Sequence, residues 1–113
     1  MTVNRPLLEG CVDSYASAMA AARGGADRLE LCAGLAIGGI TPSQSLFEQV
    51  RRDCDVKINV LIRPRFGDFL YSPAELKEME GEVARFRNLG ANGVAVGALT
   101  AEGTLDREAM ARF

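Results

Sequence analysis

The tripeptide Glu-x-Cys occurs twice in this chain, first as Glu9-Gly10-Cys11 and again as Glu30-Leu31-Cys32. Each copy ends a short apolar stretch, and the two copies are 21 residues apart. That spacing accommodates a strand, a helix and the next strand, so the two copies fall on neighbouring parallel strands. A carboxylate and a thiol from each strand would then meet at one end of a sheet. The repeat therefore predicts a polar or metal site at that end.

Cys11 and Cys32 are the candidate metal ligands. Thiolate sulfur is a soft ligand that suits Cu(I), and neighbouring parallel strands are about 4.8 Å apart, close enough for one ion to bridge both sulfurs. The alternative is that both cysteines pack as small buried side chains, as free cysteines commonly do. Cys54 ends a predicted helix, away from the strand ends, and we expect it to pack or to lie on the surface.

Glu9 and Glu30 form a second candidate group. Each lies two residues before its cysteine, so its side chain should point to the same, inward face of the strand as that cysteine. Burying an unpaired carboxylate is costly, and Arg63 and Arg65, which close the third predicted strand, could neutralise them. Such a cluster could bind a polar or anionic ligand, hold phosphate, or supply acid–base groups. The alternative is a structural ion network. Asp68 would either lie at the same end of the predicted sheet as these residues or hold its own loop together.

Tyr71 follows Asp68 in the same long, charged loop, and the same two interpretations apply to it. The segment Gly38-Gly39 lacks the spacing of a nucleotide-binding glycine motif, so we expect it only to let the chain turn before the second helix.

Hydrophobic periodicity and start signals predict four strands that alternate with four helices. The strands are expected at residues 7–12, 28–32, 57–63 and 93–99. The predicted helix starts are Asp13 or Ser14, Thr41 followed by Pro42, Ser72 followed by Pro73, and Asp106. The continuous apolar run of the third strand predicts a strand that is covered on both faces.

This alternation predicts an α/β fold with a parallel sheet and right-handed crossovers. Two architectures fit the order: a small open doubly wound sheet, or the N-terminal half of a TIM (β/α)8 barrel, and we favour the half-barrel. The chain is interpreted as one partial domain over residues 1–113. Four strands alone leave two unpaired edges, so we expect a homo-oligomer.

The composition restricts the function further. The 113 residues carry a formal net charge of −2, which gives no sign of nucleic-acid or membrane-surface binding. The absence of histidine excludes Ser-His and Cys-His nucleophilic schemes and imidazole ligation within this chain. The first residues do not form a signal peptide, so we expect a cytoplasmic protein with reduced cysteines.

Several long segments in this chain resemble the signatures of the CutC copper-homeostasis family. They are Glu-Gly-Cys-Val-Asp-Ser at 9–14, Gly-Ala-Asp-Arg-Leu-Glu-Leu-Cys at 25–32, Gly-Gly-Ile-Thr-Pro-Ser at 38–43, Ile-Arg-Pro-Arg-Phe-Gly-Asp-Phe at 62–69 with Tyr71-Ser72, and Gly-Ala-Leu at 97–99 with Gly103 and Asp106. The resemblance extends over nearly the whole chain from Leu7 onward. Because the family is similar to a TIM barrel of about twice this length, the resemblance implies that this chain matches its N-terminal half.

The resemblance also implies copper handling in the cytoplasm. By that likeness Cys11 and Cys32 correspond to cysteines proposed to bind copper in family members, and Cu(I) becomes the expected ligand. Another function stays open, namely a TIM-barrel enzyme (isomerase, lyase or hydrolase) that acts on a small polar or phosphorylated metabolite. In that case Glu9, Glu30, Arg63 and Arg65 would do the chemistry.

Overall fold

The structure is a computed structural model, and it describes residues 4–113. Strands and helices alternate along this part of the chain. In order they are β1 (Glu9–Val12), α1 (Tyr15–Arg23), β2 (Arg28–Leu31), α2 (Gln44–Asp53), β3 (Lys57–Ile62), α3 (Pro73–Asn88), β4 (Gly93–Val96) and α4 (Arg107–Arg112), with a short 3-10 helix at Leu35–Ile37. The predicted order of elements is confirmed.

The four strands form one parallel sheet in the order β1-β2-β3-β4. A doubly wound sheet reverses its strand order at a switch point, whereas a barrel adds each new strand on the same side. The sequential order seen here is that of a barrel segment. It confirms the prediction of parallel (β/α) units arranged as part of a TIM-like barrel rather than as an open doubly wound sheet.

The strand register separates the side chains onto two faces. On one face, residues such as Leu29, Leu31, Ile58 and Val60 are fully buried under the helices. Two aromatic rings from α2 and α3, Phe47 and Phe86, meet edge to face at 5.5 Å and fill the centre of that layer. This layer is the hydrophobic core.

The opposite face of the sheet, here called the inner face, is only partly covered. Along β3, buried residues alternate with exposed or half-exposed ones, so the prediction that this strand is covered on both faces is wrong within the described chain. Parallel strands read as continuous apolar runs because helices usually cover both of their faces. Here the helices cover one face, and the inner-face positions of β3 are filled by Lys57, Asn59 and Leu61.

The strands are shorter than predicted, and one helix start was misplaced. The second helix begins after Ser43, whose side chain accepts a hydrogen bond from the N–H of Leu46, and not after Thr41. The Thr41 hydroxyl instead donates to the carbonyl of Arg63 and accepts from its N–H. Thr41 therefore attaches the loop before α2 to the end of β3, a long-range contact that a local start signal does not reveal.

The other helix starts agree with the sequence. Ser14 caps α1 in a reciprocal pair with Ser17, and Ser72 caps α3 in a capping box with Glu75. Asp106 caps α4 by accepting from the N–H of Ala109 at 3.0 Å. Within residues 4–113, no helix is both long enough and apolar enough to cross a membrane.

Two polar clusters hold the N-terminal ends of the strands. The Asn92 Oδ1 accepts from the Ile58 N–H and from Arg51, both at 2.9 Å, and Arg51 also donates to the carbonyls of Cys54 and Val56 at 2.8 Å. This cluster joins the end of α2 to the starts of β3 and β4.

Asp27 forms the second cluster at that end of the sheet. Its carboxylate accepts from both terminal nitrogens of Arg5, at 2.8 and 2.6 Å, and from the Leu8 N–H at 2.8 Å. These hydrogen bonds, those of Arg5 first, lower the pKa of Asp27 to about 2. The cluster positions the chain entering β1 beside the start of β2.

Replacing Asn92 by alanine should lower the free energy of unfolding by about 1–2 kcal/mol, because the Ile58 N–H and Arg51 each lose an acceptor. Urea denaturation measures this change. The control is Asn88→Ala, which alters an exposed asparagine at the end of α3. Equal stability of the two variants would contradict the assigned role of Asn92.

The Asp27 cluster should make the protein sensitive to acid. A carboxylate whose pKa is lowered on folding contributes stability above its ordinary pKa of 3.8, and this contribution is lost as the pH falls toward about 2. Asp27→Asn should therefore lower the urea midpoint at pH 6 and flatten its fall between pH 4 and pH 2. Asp55→Asn, at an exposed position, is the control. Identical pH profiles for wild type and Asp27→Asn would refute this assignment.

Candidate metal and ligand site

The two candidate metal ligands lie beside each other on the inner face. Cys11 is in β1, and Cys32 directly follows β2, where its N–H donates to the Val12 carbonyl at 3.0 Å. Cys32 is fully buried and its thiol also points at that carbonyl, with the sulfur 3.6 Å from the oxygen, whereas Cys11 is exposed. The two strands thus place these thiols close enough for each to affect the pKa of the other.

The surroundings keep both thiols protonated at neutral pH. Burial raises the pKa of Cys11, and the nearby carboxylate of Glu30 adds to the effect. Burial, followed by the neighbouring Cys11, raises the pKa of Cys32 to about 12. A ligand that needs thiolates must therefore displace protons from this pair, and the thiols are poor nucleophiles without such a ligand.

A polar row crosses the sheet next to the thiols. The register places Cys11, Glu30, Asn59 and Gly93 side by side on β1 to β4. Burial, and then the adjacent Glu9 carboxylate, raise the pKa of Glu30. Gly93 leaves room for this row, because a Cβ at that position would stand 2.7 Å from the Asn59 Oδ1.

Glu9 is neutralised by a residue that the sequence analysis had not selected. Arg28 pairs with Glu9 in the strand register, and its Nε lies 2.6 Å from a Glu9 oxygen. The expected neutralisation by Arg63 and Arg65 is therefore wrong for Glu9, and neither arginine forms an ion pair with Glu30 in the described chain. Both arginines lie beyond the end of β3, while Glu9 lies at the start of β1.

Arg63 connects two loops above the strand ends. Its guanidinium donates to the carbonyls of Gly38, Gly39 and Gly67, at 3.3, 3.2 and 2.8 Å, and its carbon lies 4.8 Å from the centre of the Phe69 ring. Gly38 and Gly39 both have positive φ, which confirms that this segment serves to turn the chain.

Gly39 packs directly on the site, since a Cβ there would stand 3.6 Å from the Cys32 sulfur. The loop that Arg63 holds therefore covers Cys32.

Arg65 organises the loop before α3. It pairs with Glu75 and with Asp68, and it donates to the carbonyls of Phe66, Asp68 and Leu70. The carboxylate of Asp68 also accepts from the Leu70 N–H at 3.1 Å. Asp68 and Arg65 thus hold their own loop together, which is the structural alternative given for Asp68.

Tyr71 lies beneath these arginines. It is 7% exposed, and its hydroxyl has no hydrogen-bond partner among residues 4–113. The Arg65 guanidinium lies 4.9 Å from its ring centre, and burial raises its pKa. Tyr71 therefore packs as a buried ring beneath the loop that Arg65 organises.

Arg28 and Asn59 are the inner-face residues that the sequence analysis missed. Asn59 is the one polar residue inside the run Ile58-Asn59-Val60-Leu61-Ile62, and a polar residue in an apolar strand is a usable signal. Arg28 lies two and four residues before Glu30 and Cys32, so its side chain faces the same side of the strand, which is a second signal. Their partners could not be inferred without the strand register.

The donor set near the thiols restricts which metal could bind. Among residues 4–113, no three or more cysteine, aspartate, glutamate or histidine side chains are grouped so that they could hold one ion. The pair Cys11 and Cys32 offers two sulfur donors, and a soft ion that accepts few ligands, such as Cu(I), suits such a pair better than Zn²⁺ with its four ligands. Cys54, which is 7% exposed at the end of α2, is a packing residue.

Comparison with known proteins identifies related sequences over nearly the whole chain. The sequence profile of the CutC family matches residues 6–113. A human protein named copper homeostasis protein cutC homolog is 48% identical over 102 residues, which are 90% of this chain and 37% of that protein. A Histophilus somni protein named family protein CutC is 48% identical over 99 residues, 88% of this chain and 41% of that protein.

The fold is similar as well. The crystal structure of a CutC protein from Streptococcus agalactiae superposes with a TM-score of 0.87 and 31% identity, covering 94% of this chain and 52% of that one. This chain thus spans 37 to 41% of the length of the two relatives above and about half of the solved structure. Because the profile match extends over residues 6–113 and agrees with the shared fold, the chain belongs to the CutC family.

Proposed function

We propose that this chain acts in copper homeostasis and binds Cu(I) through Cys11 and Cys32. The observation that carries the proposal is the pair of adjacent thiols toward the ends of β1 and β2. The human relative is named a copper homeostasis protein, which agrees with this role. Two thiolates form a soft ligand set that suits Cu(I) and is unattractive to Mg²⁺ or Ca²⁺.

Three further features support binding at this pair. The Gly39 backbone covers Cys32, so a bound ion would be partly shielded from water and from oxidants. Cys11 is exposed, and it offers a route of entry for an incoming ion. The carboxylate of Glu30 lies near Cys11, and its negative charge favours a cation there.

We place this function in the cytoplasm, because Cys11 and Cys32 can bind Cu(I) only while they stay reduced, as thiols do in a reducing compartment. The alternative function, an enzyme that holds an anionic metabolite with Arg63 and Arg65, has less support: within residues 4–113 the buried Arg63 Nε has no hydrogen-bond partner, but it is one donor among those of the two arginines. Loop carbonyls and carboxylates already engage most of their donors. Copper binding therefore remains the function that the described side chains favour.

A Cu(I) titration against a competing chelator tests the proposal. The reduced wild-type chain should bind one Cu(I) per chain, and Cys11→Ser/Cys32→Ser should bind at least about 100-fold more weakly, because an alcohol is a hard and poor ligand for Cu(I). Cys54→Ser is the matched control, since it removes the third thiol away from the strand ends. Equal affinity in all three proteins would overturn the proposal.

Copper binding should also depend strongly on pH. Burial raises the pKa of both Cys11 and Cys32, so one Cu(I) displaces two protons at neutral pH. The apparent affinity should then fall about 100-fold for each unit decrease in pH between 8 and 6. Chelator competition at pH 6, 7 and 8 measures this slope, after correction for the protonation of the chelator itself. A slope near zero or near tenfold per unit would contradict a two-thiolate site.

A further inference from the structure

The Cys32 sulfur is closed off from solvent, although its neighbour is not. The exposed fraction of Cys32 is 0%, whereas Cys11 is exposed. The described residues bury Cys32 by themselves, so any further cover could only add to this burial. An ion or a reagent can therefore meet Cys11 directly, but it reaches Cys32 only after part of the structure around that sulfur has moved.

A short loop lies over this sulfur. Ala33 and Ile40 close its base with two backbone hydrogen bonds of 2.8 Å, and residues 34–39, here called the cover loop, extend between them. Gly39, at the end of the cover loop, is buried on Cys32, because a Cβ there would stand 3.6 Å from the Cys32 Sγ. The cover loop therefore packs on the sulfur with its backbone.

Hydrogen bonds from two side chains hold the cover loop to the rest of the described chain. The Leu35 N–H donates to the Asp13 carboxylate at 3.0 Å, and Arg63 donates to the carbonyls of Gly38 and Gly39 at 3.3 and 3.2 Å. The bonds from Arg63 are longer than the usual distance of about 2.9–3.0 Å, so each is weak. Within the described residues the cover loop makes no other hydrogen bond beyond its own atoms. Asp13 and Arg63 are therefore its two tethers.

The cover loop contains residues that let it change conformation while its base stays paired. Gly34 and Gly38 stand on either side of the short 3-10 helix at Leu35–Ile37, with φ of +59° and +99°. Because glycine has no Cβ, such positions can adopt other backbone angles at little cost, as hinge residues of moving loops do. The loop can therefore swing on these two joints once its tethers are released.

We propose that the cover loop is a gate over Cys32 and that Arg63 is the residue that keeps it closed. Arg63 binds the end of the loop that touches the sulfur, whereas Asp13 binds the other end. When the loop opens, a soft metal ion held first by the exposed Cys11 gains access to the second sulfur. The gate acts on any ion or reagent that approaches Cys32, so it does not rest on copper being the ligand.

Alkylation of the reduced protein with iodoacetamide, followed at each cysteine by peptide mass spectrometry, tests the gate. In the wild-type chain Cys11 should react fastest, because Cys32 and Cys54 are buried. Arg63→Ala should speed the labelling of Cys32 at least about tenfold, since the loop loses two hydrogen bonds from a charged donor. The rate at Cys54 should stay unchanged. Cys54 ends α2 and serves as the internal reporter of wider unfolding.

Arg85→Ala is the matched control. Arg85 also donates to a side chain on another helix, that of Gln44, and its guanidinium also lies over a ring, 5.4 Å from the centre of Phe86. It has no hydrogen bond to the cover loop, so its loss should leave all three labelling rates unchanged. Arg63→Ala removes a positive charge, which does not favour a thiolate, so faster labelling of Cys32 reports access rather than acidity.

The other tether provides an independent pair of variants. Asp13→Asn removes the charge but keeps a side-chain oxygen for the Leu35 N–H, whereas Asp13→Ala removes both. Labelling of Cys32 should therefore be faster in Asp13→Ala than in Asp13→Asn, while Cys54 reacts equally slowly in the two. The difference between the two variants isolates the tether from the effect of the charge on the thiol.

Three results would overturn the proposal. They are a wild-type Cys32 that reacts as fast as Cys11, an Arg63→Ala variant that labels Cys32 at the wild-type rate, and an equal acceleration by Arg85→Ala. If Cys32 and Cys54 accelerate together in Arg63→Ala, that variant has lost its fold and the Asp13 pair decides. Equal labelling of Cys32 in Asp13→Ala and Asp13→Asn would then overturn the gate.

Discussion

The structure depends on the in-register parallel pairing of β1 to β4. Because side chains alternate along a strand, one register decides at once which residues enter the core and which face inward. It aligns Cys11, Glu30, Asn59 and Gly93 in one row, and it places Leu29, Leu31 and Ile58 under the helices. A shift by one residue would move the polar row into the apolar core.

The two ends of this sheet serve different purposes. At the N-terminal end, Asn92 and Asp27 satisfy backbone and arginine donors, and they hold the strands in register. At the C-terminal end, Arg63 and Arg65 hold loops and Cys32 lies beneath one of them. In barrels the N-terminal face commonly carries stability and the C-terminal face carries chemistry. The pair Cys11 and Cys32 lies toward the C-terminal face.

The arginines show how a correct location led to a wrong partner. Arg63 and Arg65 do lie where β3 ends, as their place in the sequence indicates. Their donors, however, are taken by nearby carbonyls, Asp68 and Glu75, because these acceptors are only a few residues away or in the adjoining loop. Glu9 lies at the opposite end of its strand from these loops, and it forms its ion pair with the neighbouring Arg28. The carboxylates and the loop arginines are therefore separate groups.

The sequence by itself determined the alternation of elements, the parallel class of the sheet, the caps at Ser14, Ser72 and Asp106, and the meeting of Cys11 with Cys32. The caps follow from local hydrogen bonding, and the strands and helices follow from hydrophobic periodicity. The position of the two cysteines follows from the separation between the two copies of one motif. Only the tertiary structure decided the helix start at Ser43, the Glu9–Arg28 pair and the alignment of Asn59 with Glu30. The physical reason is that Thr41, Arg28 and Asn59 bond or align with residues on other strands, and strand register is a property of the assembled sheet.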